Sequence, residues 1–269
     1  MDQYRVFGNP IKQSRSPFIH QAFAKATKQT LNYQSQFAEL DGFRQAVSEF
    51  IALGGKGANV TAPFKEQALE ISDVLSQRAR LAGAVNTLSF IDGKIYGDNT
   101  DGEGLVQDLL RNNVQIESRR ILILGAGGAV KGVLLPLLAQ NPVKIVIANR
   151  TVSKAETLIK HFNNNKLNAC GFEQTAEETF DIIINATSAS LSGSLPAIPA
   201  STITKNTVCY DMVYSKELTP FLRWAKNQGV VKVIDGLGML VGQAAQSFMI
   251  WRGVKPEVTK VIEQLKTTL

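Results

Sequence analysis

The sequence predicts an α/β protein of two domains, and three observations carry that prediction. Short apolar runs such as Ile121-Leu-Ile-Leu124 and Asp181-Ile-Ile-Ile-Asn185 alternate with helix-like stretches beyond residue 120, which is how parallel strands covered on both faces read. The first of these runs leads into Gly125-Ala-Gly-Gly-Ala129 and then a helix, so the chain turns sharply at a helix N-terminus. The first hundred residues show a separate order, β-α-β-α-β-α-β-β, closed by a hairpin.

In chain order, residues 4–8 read as a strand stopped by Gly8-Asn9-Pro10. Ser16 as N-cap and Pro17 at the first helical position start a helix over 16–27. A strand at 33–37 and a helix at 43–53 follow. Gly54-Gly-Lys-Gly57 then leads to a strand at 58–61, stopped by Pro63, and a helix at 64–72. Strands at 86–91 and 94–96 are joined by Asp92-Gly93, a hairpin turn. A polar loop, Gly97-Asp-Asn-Thr-Asp-Gly102, opens a helix to about Arg111, and the domain boundary belongs in or beside it. Beyond come a helix at 129–138, interrupted in composition by Pro136, and strands at 121–124, 144–148, 167–171, 181–185, 208–210 and 231–234. Residues 237–269 form two helices parted near Lys255-Pro256.

Composition narrows the functional class. A chain of 269 residues with 44% hydrophobic and 19% charged residues is that of an ordinary globular protein. It has no apolar run of membrane-spanning length and no signal-peptide pattern. Cys170 and Cys209 make no disulfide framework, and no Cys/His cluster suggests a metal. Glycosylation sequons at Asn59, Asn149 and Asn185 sit near strand ends, which suits the cytoplasm. The net charge of +6 is scattered, without Lys/Arg runs or interleaved aromatics, so small anions are the expected partners, not nucleic acid or membrane. The assembly is left open, with a homodimer as the candidate.

The strand, glycine turn and helix together make a pyrophosphate site of the dinucleotide-binding kind, although G-x-G-x-x-G is incomplete at Val130. An NAD site places an acid about 20 residues further on, at the tip of the second strand. Here that tip reads Ala148-Asn149-Arg150-Thr151, with Lys154 one turn on. Two cations and no acid favour NADP, since Arg150 can fork onto the extra phosphate.

Candidate chemistry lies in the first domain. Ser14 and Ser16, at a helix start, can bind a carboxylate, although capping alone would account for Ser16. In Asn59-Val-Thr-Ala-Pro-Phe-Lys65, the lysine can protonate an alkoxide forming from a ketone, set against the common fate of a solvated surface lysine. Asp101 can pair with it and hold it in place. His20, about one turn into the first helix, faces either the site or the core, and His161 is expected to be exposed.

With these residues the chain closely resembles the NADP-dependent shikimate dehydrogenases over its full length. The shared motifs are Ser14-x-Ser16-Pro17, Asn59-Val-Thr-x-Pro-x-Lys65, Gly83-Ala-Val-Asn86-Thr, Gly97-Asp-Asn-Thr-Asp-Gly102, Gly125-Ala-Gly-Gly-Ala129, Asn149-Arg-Thr151, Asn185-Ala-Thr187-Ser, Tyr210-Asp-Met-Val-Tyr214 and Gly236-Leu-Gly-Met-Leu-Val-x-Gln243. The resemblance implies reduction of 3-dehydroshikimate in aromatic amino acid biosynthesis, in a cleft between a substrate domain and an NADP-binding Rossmann domain. It implies Ser14 and Ser16 on the substrate carboxylate, Thr61, Asn86 and Gln243 on its ring oxygens with Tyr214 nearby, and Lys65 with Asp101 as the catalytic pair. It likewise implies Gly125, Ala126, Gly127, Gly128 and Ala129 on the pyrophosphate. Asn149, Arg150, Thr151 and Lys154 would take the 2′-phosphate end, and Thr187, Met212, Gly236 and Met239 the nicotinamide.

Gln243 also implies that the C-terminal helices return to the first domain, giving 1–101 and 238–269 around 102–237. Two departures stand out. Lys154 replaces an arginine of many relatives, and Ser188-Ala-Ser190 replaces a glycine, a change expected to bear only on its loop. Other expectations in view are a quinate- or NAD-using relative, and a non-catalytic NADP-binding regulator.

Overall fold

The computed structural model describes residues 1–269 and divides them into two units, Met1–Gly104 with Leu240–Thr268, and Leu105–Met239 with the terminal Leu269. Both chain crossings fall inside helices, a few residues from the expected boundaries at 101/102 and 237/238. No helix is long and apolar enough to cross a membrane.

The first unit runs β1 (Asp2–Gly8), α1 (Ser16–Ala26), β2 (Leu31–Phe37), α2 (Phe43–Ala52), β3 (Gly55–Val60), α3 (Lys65–Glu70), β4 (Val74–Leu75), α4 (Gln77–Ala82), β5 (Thr87–Ile91), β6 (Lys94–Asp98) and the start of α5 (Asp101–Arg111). Its sheet has the order β2-β1-β3-β5-β6-β4. β1, β2 and β3 are parallel, whereas β5 runs antiparallel to both β3 and β6. That reversal gathers polar residues on one edge. The ends of β1, β3 and β6 and the start of β5 all lie there, so the segments after Gly8, Val60 and Asp98 and the residue before Thr87 become neighbours.

Two elements were not expected. β4 is a two-residue strand, too short for periodicity to show. α4 is six residues long, but its ends are marked: the Ser76 side chain accepts from the Ala79 N–H, and Gly83 closes it at φ 62°. β3 also begins three residues early, at Gly55, where Gly55 and Gly57 had read as a turn. Both glycines are there for space. A Cβ on Gly55 would lie 2.7 Å from the Phe50 ring, and one on Gly57 would lie 2.6 Å from Trp251 Nε1.

The chain returns to this unit through the body of α9 (Leu237–Arg252) and through α10 (Thr259–Lys266), with the break at 253–258 around Pro256 as expected. Trp251 seals the contact. Its indole N–H donates to Leu88 O at 3.0 Å, and its ring packs 4.7 Å from that of Tyr4. Beneath it His20 is fully buried and lies parallel to Tyr33 with ring centroids 4.2 Å apart. His20 is therefore a core residue. Neither ring nitrogen has a hydrogen-bond partner, and burial pushes its pKa down to about 3, with only the neighbouring Asn59 side chain acting the other way.

The second unit continues α5 and adds β7 (Arg120–Leu124), α6 (Gly128–Ala139), β8 (Lys144–Ala148), α7 (Val152–Phe162), β9 (Leu167–Cys170), β10 (Ile182–Asn185), β11 (Val208–Asp211), α8 (Pro220–Asn227) and β12 (Lys232–Ile234). All strands are parallel in the order β12-β11-β10-β7-β8-β9, the doubly wound arrangement whose order reverses between β7 and β10. Alternate residues feed opposite cores: Ile121, Ile123, Ile182 and Ile184 on one face, Leu122, Leu124 and Ile183 on the other. The apolar runs of the sequence are these doubly covered strands.

His20 gives this fold a pH dependence. Its folded pKa lies below the ordinary 6.5, so the unfolded chain takes up a proton that the folded chain refuses, and stability falls as pH drops from 6.5 towards 3. The slope from one such group is about 1.4 kcal/mol per pH unit. In urea titrations at pH 7 and pH 5, His20→Phe should lose much less stability between the two pH values than the wild type.

Candidate active site

At the polar edge of the first sheet, Lys65 opens α3 and Asp101 opens α5. The Lys65 ammonium meets Asp101 Oδ2 at 2.6 Å, with side chains 33% and 18% exposed, so the pair is held yet still open on one side. The other oxygen, Asp101 Oδ1, accepts from Asn86 Nδ2 at 2.8 Å. Asn86 is nearly fully buried, and its orientation is determined. The Thr100 backbone N–H, which can only donate, points at Asn86 Oδ1 at 2.9 Å, so the amide nitrogen must face the carboxylate. Gln243 Oε1, on α9, accepts from the same Asn86 amide at 3.3 Å.

Behind Asn86 lies a buried polar cluster. The Thr87 hydroxyl donates to Asn86 Oδ1 at 2.8 Å and contacts Ser247 Oγ at 2.8 Å. Asn59 Nδ2 donates to Ser247 Oγ at 2.9 Å, and Tyr33 donates to Asn59 Oδ1 at 2.7 Å. The loop to Asp101 is braced from its other side. Arg78 grips Asp98 with two hydrogen bonds of 2.7 and 2.8 Å, and Asn99 Oδ1 accepts from the Asp101 N–H at 3.1 Å. Burial acts to raise the Asp98 carboxyl, but hydrogen bonds from Arg78 and Ser76, the Arg78 charge and the Asn99 N–H outweigh it and hold the group below its usual range.

Ser14 is half-buried and Ser16 buried, at the start of α1. Ser16 is not the N-cap expected from the sequence. Ser16 is the first helical residue and no side chain caps this helix; instead Ser14 Oγ accepts from the Ser16 N–H at 3.3 Å. Pro17 takes up the first turn, and ordinary capping no longer accounts for the Ser16 hydroxyl. Thr61 stands just past β3, so close to β1 that a Cβ on Gly8 would lie 2.5 Å from its methyl. Ser14, Ser16, Thr61, Lys65, Asn86, Asp101 and Gln243 all belong to the first unit, whereas Tyr214, half-buried after β11, belongs to the second. His161 is exposed at the end of α7.

In the second unit the expected cofactor residues follow the carboxyl ends of the strands. Gly125 (after β7) has φ 110°, which strains any side chain, and a Cβ there would come 3.3 Å from Ala186 O and Thr187 Cγ2. A Cβ on Gly127 or Gly128 would meet nothing within 4 Å, so these two glycines leave open room above the first turn of α6. Free helix N–H groups below such a space suit a pyrophosphate. Asn149 follows β8, its amide donating to Thr151 O at 2.8 Å, and Arg150, Thr151 and Lys154 are exposed at the start of α7. Thr187 follows β10 and Met212 follows β11. Gly236, after β12, is irreplaceable in this backbone, since a Cβ would lie 2.1 Å from Met212 O. Met239 is the last residue of α9 that belongs to the second unit.

Ser190 departs from expectation. It is buried and donates to Asp211 Oδ2 at 2.6 Å, so the Ser188-Ala-Ser190 segment bears on more than its own loop. The sequence reading also passed over Arg78, Asp98, Thr87, Thr100 and Ser247. Thr87, Asp98 and Thr100 lie inside shared motifs, and Ser247 lies one helical turn from Gln243 on the same face of α9.

A doubly wound parallel sheet with an open glycine turn, in one chain with a lysine–carboxylate pair on a second α/β unit, defines a dinucleotide-dependent oxidoreductase. Three family models match: the shikimate dehydrogenase substrate binding domain over residues 6–88, shikimate / quinate 5-dehydrogenase over 107–196, and the shikimate 5′-dehydrogenase C-terminal domain over 236–266. The chain is 65% identical to the shikimate dehydrogenase (NADP(+)) of Colwellia psychrerythraea, covering 100% of this chain and 98% of that one. Among solved structures, an Ael1 enzyme from Pseudomonas putida superposes with a TM-score of 0.96 at 46% identity, covering 98% of each chain. Shikimate 5-dehydrogenase from Thermus thermophilus in complex with NADP(H) and shikimate superposes with a TM-score of 0.89 at 31% identity over 100% of both chains. The chain belongs to the shikimate dehydrogenase family.

The Arg78–Asp98 brace is testable by stability. Because the Asp98 carboxyl is held below 3.8, its contribution is present above that pH and is lost as pH falls through the folded value. Arg78→Ala should cost about 2 kcal/mol in urea unfolding at pH 7, and the gap to wild type should narrow below pH 4.

Proposed function

We propose that this chain catalyses the reversible, NADP-dependent reduction of 3-dehydroshikimate to shikimate, a step of aromatic amino acid biosynthesis on the way to chorismate. The arrangement that carries the reading is the Lys65–Asp101–Asn86 chain of contacts, in a family whose curated relatives are NADP-dependent shikimate dehydrogenases.

On this reading Ser14, Ser16 and the N-terminus of α1 take the substrate carboxylate, and Thr61, Asn86 and Gln243 take its ring oxygens, with Tyr214 nearby. Bound NADPH supplies the hydride to the ketone carbon. Lys65 places its ammonium at the ketone oxygen, offsets the charge growing there, and gives up one proton as the alcohol forms. In the reverse direction the neutral amine recovers that proton. Asp101 keeps the ammonium aimed, and Asn86 keeps Asp101 from turning away. The turn from Gly125 through Ala126, Gly127, Gly128 and Ala129 fits the pyrophosphate. Asn149, Arg150, Thr151 and Lys154 fit the 2′-phosphate, and Thr187, Met212, Gly236 and Met239 fit the nicotinamide. Since the two groups of residues lie on different units, turnover requires both units to act on one substrate.

The family description shikimate / quinate 5-dehydrogenase supports a second substrate, quinate, which carries one more ring hydroxyl. Metabolites, not nucleic acid, are the proposed partners, and the cytoplasm is the proposed location. Sedimentation decides between monomer and homodimer.

Steady-state reduction of 3-dehydroshikimate by NADPH tests the assignment, with shikimate and quinate compared in the oxidative direction. Lys65→Ala should lower kcat by roughly 10²–10⁴-fold and leave the NADPH dissociation constant nearly unchanged; undiminished turnover would remove Lys65 from the mechanism. Arg150→Ala should weaken NADPH at least tenfold and leave NADH use little altered, read from the two kcat/KM values. An equal loss with both cofactors would place Arg150 elsewhere.

A further inference from the structure

Asp211 ends β11 with no exposed surface, and no lysine, arginine or histidine pairs with it. A buried carboxylate without a cation is expensive unless its lone pairs are filled. Here they are filled from several directions. Ser190 Oγ and Thr219 Oγ1 each donate to Oδ2 at 2.6 Å, while Asn185 Nδ2 at 3.2 Å and the Val213 N–H at 3.1 Å reach Oδ1. The donors come from the end of β10, the loop after it, the turn after β11 and the N-cap of α8. A position needed only for packing would be filled more cheaply by an apolar residue.

The groups gathered by this carboxylate lead to the nicotinamide end of the proposed cofactor site. With its Nδ2 committed to Asp211, Asn185 must turn Oδ1 towards Thr187, where it accepts from the Thr187 N–H at 3.1 Å and hydroxyl at 2.7 Å. This sets the Thr187 methyl, which stands 3.3 Å from where a Cβ on Gly125 would be. The neighbouring strand is fixed in the same way. The Met212 N–H donates to Asn185 O at 3.0 Å, and the Gly236 N–H to Val213 O at 3.1 Å. Thr187, Met212 and Gly236 are thus each two hydrogen bonds from Asp211, a residue to which the motif Tyr210-Asp-Met-Val-Tyr214 assigns no role.

We propose that Asp211 is a positioning residue for hydride transfer: by fixing the Asn185 amide and the turn after β11, it sets the surface on which the nicotinamide is seated. The proposal rests on the dehydrogenase reading above and adds a residue that acts through others without touching substrate. Ser190 is part of the device in this chain, supplying one of the two short bonds to Oδ2.

The test is Asp211→Ala, which removes both acceptor oxygens and so releases the Asn185 amide and the Val213 N–H. The measurements are kcat with NADPH and with its 4-deuterated form on the transferred face, binding of adenosine 2′,5′-bisphosphate, and urea midpoint. Expected are a kcat at least tenfold lower, a larger deuterium isotope effect as hydride transfer becomes limiting, and unchanged binding of the bisphosphate, which lacks the nicotinamide. An unchanged kcat and isotope effect would overturn the proposal, as would a loss of bisphosphate binding in step with stability, since that is what a purely structural role produces. If the variant does not fold, Ser190→Ala, which removes a single donor, should raise the isotope effect and lower kcat at least twofold; no change would be equally fatal. Wild-type protein that failed to turn over 3-dehydroshikimate would instead refute the underlying reading, so the two failures are told apart.

Discussion

One backbone N–H determines the chemistry of the first unit. The Thr100 amide can only donate, and it donates to Asn86 Oδ1. The side-chain amide is nearly symmetrical in shape but not in hydrogen bonding, so this contact removes its freedom to flip. Everything downstream follows: Nδ2 must face Asp101, Asp101 must accept on both oxygens, and the Lys65 ammonium is drawn to the one left open. The Thr87 hydroxyl behind Asn86 reinforces the same choice. Buried polar networks are costly when half satisfied, and this one fills its lone pairs from β3, β5, the loop after β6 and α9.

The two sites are built by different means. In the first unit, side chains define the geometry and the backbone only delivers them to one edge of a sheet. In the second, the expected cofactor turns are places where the backbone excludes side chains: Gly125 by conformation and Gly236 by the carbonyl of Met212. Asp211 is where the second unit borrows the first unit's method, with a fully satisfied buried group disciplining a loop that would otherwise have several ways to lie.

Much of this was legible in the sequence, and the part that was not has physical causes. The parallel strands could be read because burial on both faces leaves no polar residue in their middles, as in Ile121-Leu-Ile-Leu124. Lys65 and Asp101 could be nominated from residue type and position, but their contact depends on β5 pairing antiparallel with β3, and Asp92-Gly93 states only its reversal against β6. β4 and α4 were missed because two and six residues hold too little periodicity, although Ser76 and Gly83 marked the helix ends. Gly55 and Gly57 misled because glycine punctuates turns and also admits large rings across a strand. Ser190 shows the same limit: the role of its hydroxyl depends on Asp211, on another strand.

The first unit is interrupted in sequence by the whole of the second. A chain made from its N-terminus completes residues 105–239 before the helices that finish the first unit exist. Until Trp251 is available to cover Gly57 and Leu88, and Ser247 to accept from Asn59, the polar edge that holds Lys65 lacks one of its walls. The doubly wound sheet can therefore mature during synthesis, while the polar edge of the first sheet is assembled last. A chain cut short after residue 239 would keep the strands of the doubly wound sheet and leave Asn86 and Thr87 without the Gln243 and Ser247 that contact them.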